Sequence, residues 1–215
     1  MLKTFTLIFL FAVTIAATQG SVAWAQQAQG EPATTAVPVQ QVVVLAPTNS
    51  RISFVGIHVG EEPKPRLGGF KQFQGYAVVD PASGSINSLL IDINVDSVWT
   101  QYEKLTGHLK NADFFDTAKF PAARFTSTNI QAGEKGQCQI IGDLTLHGQT
   151  KSISFPAQYR LDQSGLLLTS KFQLDRSQFG MDQMLGGVDK LVAMEIYIGQ
   201  KTTVAEQLPA PGGGN

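Results

Sequence analysis

Eight segments of this chain alternate apolar and polar residues with a period of two, and most links between them are too short to hold a helix. They are RISFVGIHV, FKQFQGYAVV, SINSLLIDINV, RFTSTNI, CQIIGDLTLHG, TKSISFPAQY, LLLTSKFQL and LVAMEIYIG, all rich in β-branched or aromatic residues. A period of two puts every second side chain on one face of a strand. Turn residues follow at Asp80-Pro81-Ala82-Ser83-Gly84, Ala132-Gly133-Glu134-Lys135-Gly136, His147-Gly148-Gln149 and Asp162-Gln163-Ser164-Gly165. Links this short join antiparallel neighbours. Eight such strands bury their apolar faces either as a sandwich or as a barrel, and closure also removes exposed edges. The expected fold is all-β, an eight-stranded antiparallel barrel.

Alternation assigns an inward set. It takes Phe73, Ala77 and Val79 from the second segment, Leu89, Ile91, Ile93 and Val95 from the third, and Phe125 from the fourth. Ile140, Leu144 and Leu146 follow, then Ile153, Phe155 and Tyr159, then Leu168, Phe172 and Leu174. The last segment adds Val192, Met194, Ile196 and Ile198. Gly75, Ala77 and Gly142 are small and leave room among them. The set is almost wholly apolar, a lining suited to a hydrocarbon chain rather than to a polar solute. Asp92 and Asp143 fall on the outward face and read as solvated.

Two connections are longer. Ser97 to Pro121 holds TQYEKLTGHLKNADFF, enough for a short helix, and the irregular stretch from residue 175 to 190 carries Gly180, Gly186 and Gly187. Pro121 suits the entry of the next strand, where a missing N–H is tolerated.

At the N-terminus, Lys3 precedes an apolar run from Phe5 to Ala17, and the stretch ends on Ala23-Trp24-Ala25. The run is shorter than the roughly 20 residues a spanning helix needs, so residues 1–25 read as a cleavable export signal and the mature chain as periplasmic or secreted. Residues 26–48 read as a flexible linker, ordered only near its end, and 204–215 as a disordered tail. The domain between them is placed at 49–203.

Sixteen basic and 17 acidic side chains leave no basic footprint for nucleic acid. The single cysteine, Cys138, forms no internal disulfide. Nucleophile-elbow, phosphate-loop and metal-ligand spacings are missing from the sequence, so no catalytic residue, metal or cofactor is expected. Three histidines remain: His58, His108, and His147, which reads as a solvated turn residue.

GGFKQFQGYAVVD, GHLKNADFFDTAKFPAARFTSTNI, IIGDLTLHGQTKSISFPA and DRSQFGM resemble, in that order and spacing, the YceI-like family of bacterial periplasmic and secreted proteins. The most specific block is HLK-x-ADFFD-x-x-KFP. The resemblance implies a lipocalin-like barrel with a long polyisoprenoid chain inside. It implies that the segment between the third and fourth strands folds over one end as a lid, turning Phe114 and Phe115 into the mouth. His58 and His108 match histidines of the family and are expected at that mouth, as structural hydrogen-bonding residues or as contacts for a ligand's polar head group. Arg176 in DRSQFGM is a candidate contact for a phosphate headgroup, Lys64 and Arg66 of EEPKPRLGG read as solvated loop charges beside Glu61 and Glu62 with a headgroup contact as the alternative, and Phe179 and Met181 are expected as flexible gate residues.

The expected function is an exported protein that sequesters or transports a polyprenyl lipid or isoprenoid quinone, as monomer or homodimer, with transient membrane contact for ligand exchange. The alternative is a ligand-free stress-response or interaction module whose barrel is packed solid.

Overall fold

The structure, a computed structural model, describes residues 40–199 apart from 135, 163 and 164. The expected export signal, most of the expected linker and the expected tail lie outside the described residues, as do parts of two expected turns.

The strands are β1 (Gln41–Leu45), β2 (Ser50–His58), β3 (Lys64–Phe70), β4 (Phe73–Asp80), β5 (Ser85–Asn94), β6 (Val98–Thr100), β7 (Ala122–Ala132), β8 (Gln137–Leu146), β9 (Gln149–Asp162), β10 (Gly165–Asp175) and β11 (Leu191–Ile198). Among the described residues one helix, α1 (Glu103–Leu109), follows β6, and 3-10 turns occupy Val95–Ser97 and Arg176–Phe179. All eleven strands form one antiparallel sheet, ordered β1-β4-β5-β7-β8-β9-β10-β11-β2-β3-β6.

The order shows how the sheet curls. With the short edge strands β1 and β6 set aside, its two ends are β4 and β3, which only Lys71 and Gln72 separate in the chain. A single bent segment therefore pairs with β2 through its first half and with β5 through its second, so the sheet meets itself at a corner. Bonds from the 94–97 turn pin that corner: the amides of Lys71 and Gln72 donate to the Ser97 carbonyl (3.1 Å) and hydroxyl (2.9 Å). Counting the bent segment once gives the eight strands of the expected lipocalin-like barrel. Strand β1, at the end of the expected linker, and β6 are additions to it.

Strand β3 is hidden in the sequence because its period is broken by Pro65, Gly68 and Gly69. The glycines are required by packing. A Cβ at Gly68 would stand 2.5 Å from the Phe54 ring, and one at Gly69 would stand 2.6 Å from the Ile52 carbonyl. Two bulges also reset the alternation. One, between Val78 and Val79, lets Ile86 and Leu89 both face inward; the other, between Ser127 and Asn129, does the same for Phe125 and Ile130.

The core is the inside of the curl. Every inward residue expected from alternation belongs to the buried interior cluster or packs against it, joined by Ile52, Phe54 and Phe70 of β2 and β3.

Candidate functional site

The ends of the barrel differ. At one end Asp80 pairs with Ser85, Ala132 with Cys138 and Asp162 with Gly165, and Ala77, Val79 and Ile140 are wholly inaccessible to solvent while Ile130, Tyr159 and Leu161 stay partly accessible. At the other end lie the β8–β9 turn, the close of β2 and the two long connections, 97–121 and 176–190. Towards this mouth Ile93, Leu144, Ile153, Phe172, Val192 and Met194 pack on the interior cluster yet stay partly accessible. Phe73, Leu89, Ile91, Val95, Phe125, Phe155 and Ile196 are buried.

Aromatic rings pack on one another below this mouth. Phe155 stacks on Phe172 at 4.5 Å and meets Phe125 at 5.4 Å. The room expected over Gly142 is taken by Phe125, whose ring would lie 2.6 Å from a Cβ there. Pro156 has no N–H for the ladder, and β9 pairs with β10 only from Gly165–Asp162 to Thr169–Gln158. The Ser170 hydroxyl donates to the Pro156 carbonyl instead (2.6 Å). Outside this divergence lies a cleft of about 690 Å³ lined largely by outward residues such as Gln139, Gln158, Lys171 and Tyr197. A second of about 740 Å³ flanks the corner at Gln72 and Asn94.

The expected pair of plugging rings is divided. Residues 109–120 form successive turns, Phe115 N bonding to the Leu109 carbonyl (3.0 Å) and Asp116 adopting φ 46°. Phe115 enters the barrel, its centroid 6.3 Å from Phe54 and 5.8 Å from Phe70. Phe114 turns the other way, buried outside the interior cluster between the His108 ring (5.1 Å) and the Arg176 guanidinium (5.6 Å). One ring plugs the mouth and the other joins its two closing segments.

Arg176, expected at a headgroup, is instead 4% exposed and committed to backbone. It donates to the carbonyls of Asp189 (3.0 Å), Gln183 (3.1 Å), Val188 (3.0 Å) and Met181. Burial pulls its pKa below the usual arginine value, while Asp175, Asp182 and Asp189 act in the opposite direction. Phe179 and Met181, expected as flexible gates, are buried at 1% and 4% exposure and are fixed members of the core. His58 is exposed at the mouth rim, bridged to Val188, and His108 is half-buried on Phe114. Arg66 lies 4.8 Å from the Tyr102 ring centroid, an aromatic partner in place of free solvent. Asp92 is likewise partnered, Arg124 Nη2 donating to it at 2.9 Å.

His147, expected as a solvated turn residue, contributes more to the mouth than that reading allowed. With Gly148 it forms a two-residue turn of positive φ (50° and 72°). Its Nδ1 donates to the Phe179 carbonyl (3.0 Å) and its ring packs on Phe120 at 4.5 Å. Nε2 is buried with no partner among the described residues. The Leu-His-Gly-Gln turn was the available signal, since a histidine at positive φ presents its ring in a fixed direction. Cys138 faces the interior, and burial pushes its thiol pKa up, away from the reactive thiolate.

One ion pair holds the lid. Asp96 accepts from Thr117 (3.0 Å) and pairs with Lys110 (3.1 Å), and these partners, Lys110 first, hold its pKa below the ordinary carboxylate value. A depressed folded pKa means that the contribution is present above the unfolded value and is lost as pH falls through the folded one. Hydrogen exchange of residues 109–117, corrected for intrinsic rates, should hold steady from neutral pH to about pH 4 and rise below it. Asp96→Asn should produce that loosening already at neutral pH.

The YceI-like domain model matches residues 44–203. A UPF0312 protein of Vibrio cholerae is 32% identical over 139 residues, covering 61% of this chain and 71% of its own. One of Shewanella denitrificans is 31% identical over 143 residues, covering 61% and 72%. Among solved structures, Burkholderia cenocepacia BcnA superposes with a TM-score of 0.65 at 21% identity, covering 72% of this chain and 98% of that one. A polyisoprenoid binding domain from Saccharophagus degradans, implicated in plant cell wall breakdown, gives 0.57 at 14% identity, covering 74% and 97%.

Proposed function

The chain belongs to the YceI-like family, and from that premise we propose that it is an exported lipid-binding protein that sequesters or carries a long polyisoprenoid chain, a polyprenyl lipid or isoprenoid quinone, inside its barrel. The observation that carries this reading is the wholly apolar interior with a lid over one end. Ile93, Leu144, Phe172, Val192 and Met194 face inward near that end and remain partly accessible, while Phe73, Leu146 and Leu174 beside them are buried. Each methylene buried there contributes about 0.8 kcal/mol, so a long chain gains affinity from length alone. Among the described residues the buried polar set is Ser50, Ser53, Thr117, Ser170 and Arg176, and Arg176 is spent on loop carbonyls. This supports binding rather than catalysis. The polyisoprenoid named for the Saccharophagus domain supports the choice of chain.

Met194→Trp separates this reading from a solid barrel. In an open lumen the larger ring takes the ligand's place: binding of a fluorescent polyprenyl analogue to delipidated protein falls at least about tenfold while thermal unfolding is unchanged. In a packed interior the same change costs about 1–3 kcal/mol of stability. That cost, with no analogue binding by the parent protein, would replace the carrier with the interaction module.

A further inference from the structure

We propose that the joined tips of the 59–62 and 182–188 loops form an apolar foot that enters the interfacial layer of an electrically neutral bilayer beside the barrel mouth. The inference rests on the carrier reading and adds where the ligand is exchanged. Val59, Met184 and Leu185 are 43%, 50% and 44% exposed, large apolar side chains presented to water at the end that the two long connections close.

They are held there by built structure. Val59 N donates to the Gly187 carbonyl (2.8 Å) and Asp189 N to that of Ile57 (2.9 Å), tying the two loops together. The Met184 carbonyl accepts from Gly187 N (2.9 Å) and Val188 N (2.8 Å), making a tight turn in which Met184 takes φ 58°. A methionine seldom adopts that conformation, yet here it fixes the side chain outward. From inside, Arg176 clamps the carbonyls of 181, 183, 188 and 189. A rigid apolar tip has little entropy to lose on insertion, and exposed apolar surface of this kind marks contact with a membrane or another protein.

Charge narrows the choice. Glu61, Glu62, Asp182 and Asp189 stand against Lys64, Arg66 and Lys190, a near balance that gives no attraction to an anionic surface. Lys190 is already paired with Asp175 (3.5 Å) and Arg66 lies over Tyr102. The fit is to zwitterionic lipid, by apolar insertion rather than by counterion release. Continuity with the mouth favours lipid over a protein partner, because a hydrocarbon chain leaving the lumen beside an inserted tip need not cross water.

The test uses Leu185→Trp and phosphatidylcholine vesicles. Its fluorescence should shift to the blue on vesicle addition, be quenched by brominated phosphatidylcholine, and do so equally at low salt and at about 0.5 M salt. Adding Met184→Asp to Leu185→Asp should cut co-flotation of the protein with vesicles about tenfold or more while thermal unfolding is retained. Should tryptophan disturb the turn, Leu185→Cys with an environment-sensitive label reads the same insertion, Cys138 being buried. Absence of any shift, or a shift confined to anionic vesicles and abolished by salt, overturns the proposal. Stoichiometric lipid in a protein that fails to insert removes the foot and leaves the carrier; insertion by a lipid-free protein supports the foot and removes the carrier.

Discussion

Phe155→Ala should lower the stability of the barrel by about 3–5 kcal/mol, the usual range for emptying a buried phenylalanine site. Phe155 is 2% exposed and stands between Phe125 and Phe172, so its removal strips contacts from both rings at once. Collapse into the gap is restricted, because Phe125 is already committed to the space over Gly142. Phe155→Leu, which keeps much of the volume, should cost less than half as much. Denaturant unfolding with an unchanged slope measures both; a loss below about 1 kcal/mol for alanine would show that the interior is loosely filled around this ring.

Arg176→Met should cost about 3 kcal/mol and open the 181–190 loop to protease. Methionine approximates the length of the stem but leaves four carbonyls that the guanidinium now satisfies, and an unsatisfied buried group costs about 1–3 kcal/mol. The total stays below the sum of four because an opened loop regains water. Arg176→Lys should rescue little, since an ammonium group cannot reach four carbonyls spread around a planar fork. Losing the guanidinium also removes one of the two partners of Phe114, leaving only the His108 ring, so exchange should rise in the 109–117 segment as well as in the mutated loop. Protection of 109–117 at the parent level in Arg176→Met would show that the two closing segments are independent.

The barrel was legible because burial on one face forces a period of two, and inward residues from Phe73 to Ile198 keep that parity over seven of the eight long segments. What broke the pattern was also what local packing demands. Strand β3 is disguised by glycines that Phe54 and the Ile52 carbonyl require, and Ile86 and Ile130 are displaced from parity by bulges. Pro156 was visible, but that β9 and β10 part beside it depends on a hydroxyl from the neighbouring strand. The mouth was less legible, because its residues act through backbone carbonyls distant in sequence. Arg176 reads as a free cation until the 181–189 loop folds over it, and nothing in ADFF says that Phe114 and Phe115 face opposite ways. His147 reads as solvated because a turn residue usually is, and its bond to Phe179 spans 32 positions.

The measurement closest to the central claim is organic extraction and mass spectrometry of the protein purified from its native source without detergent. A water-poor lumen under a lid predicts a long isoprenoid lipid recovered near one per chain, and its retention through chromatography. Repeated preparations yielding folded protein with no bound lipid would contradict it.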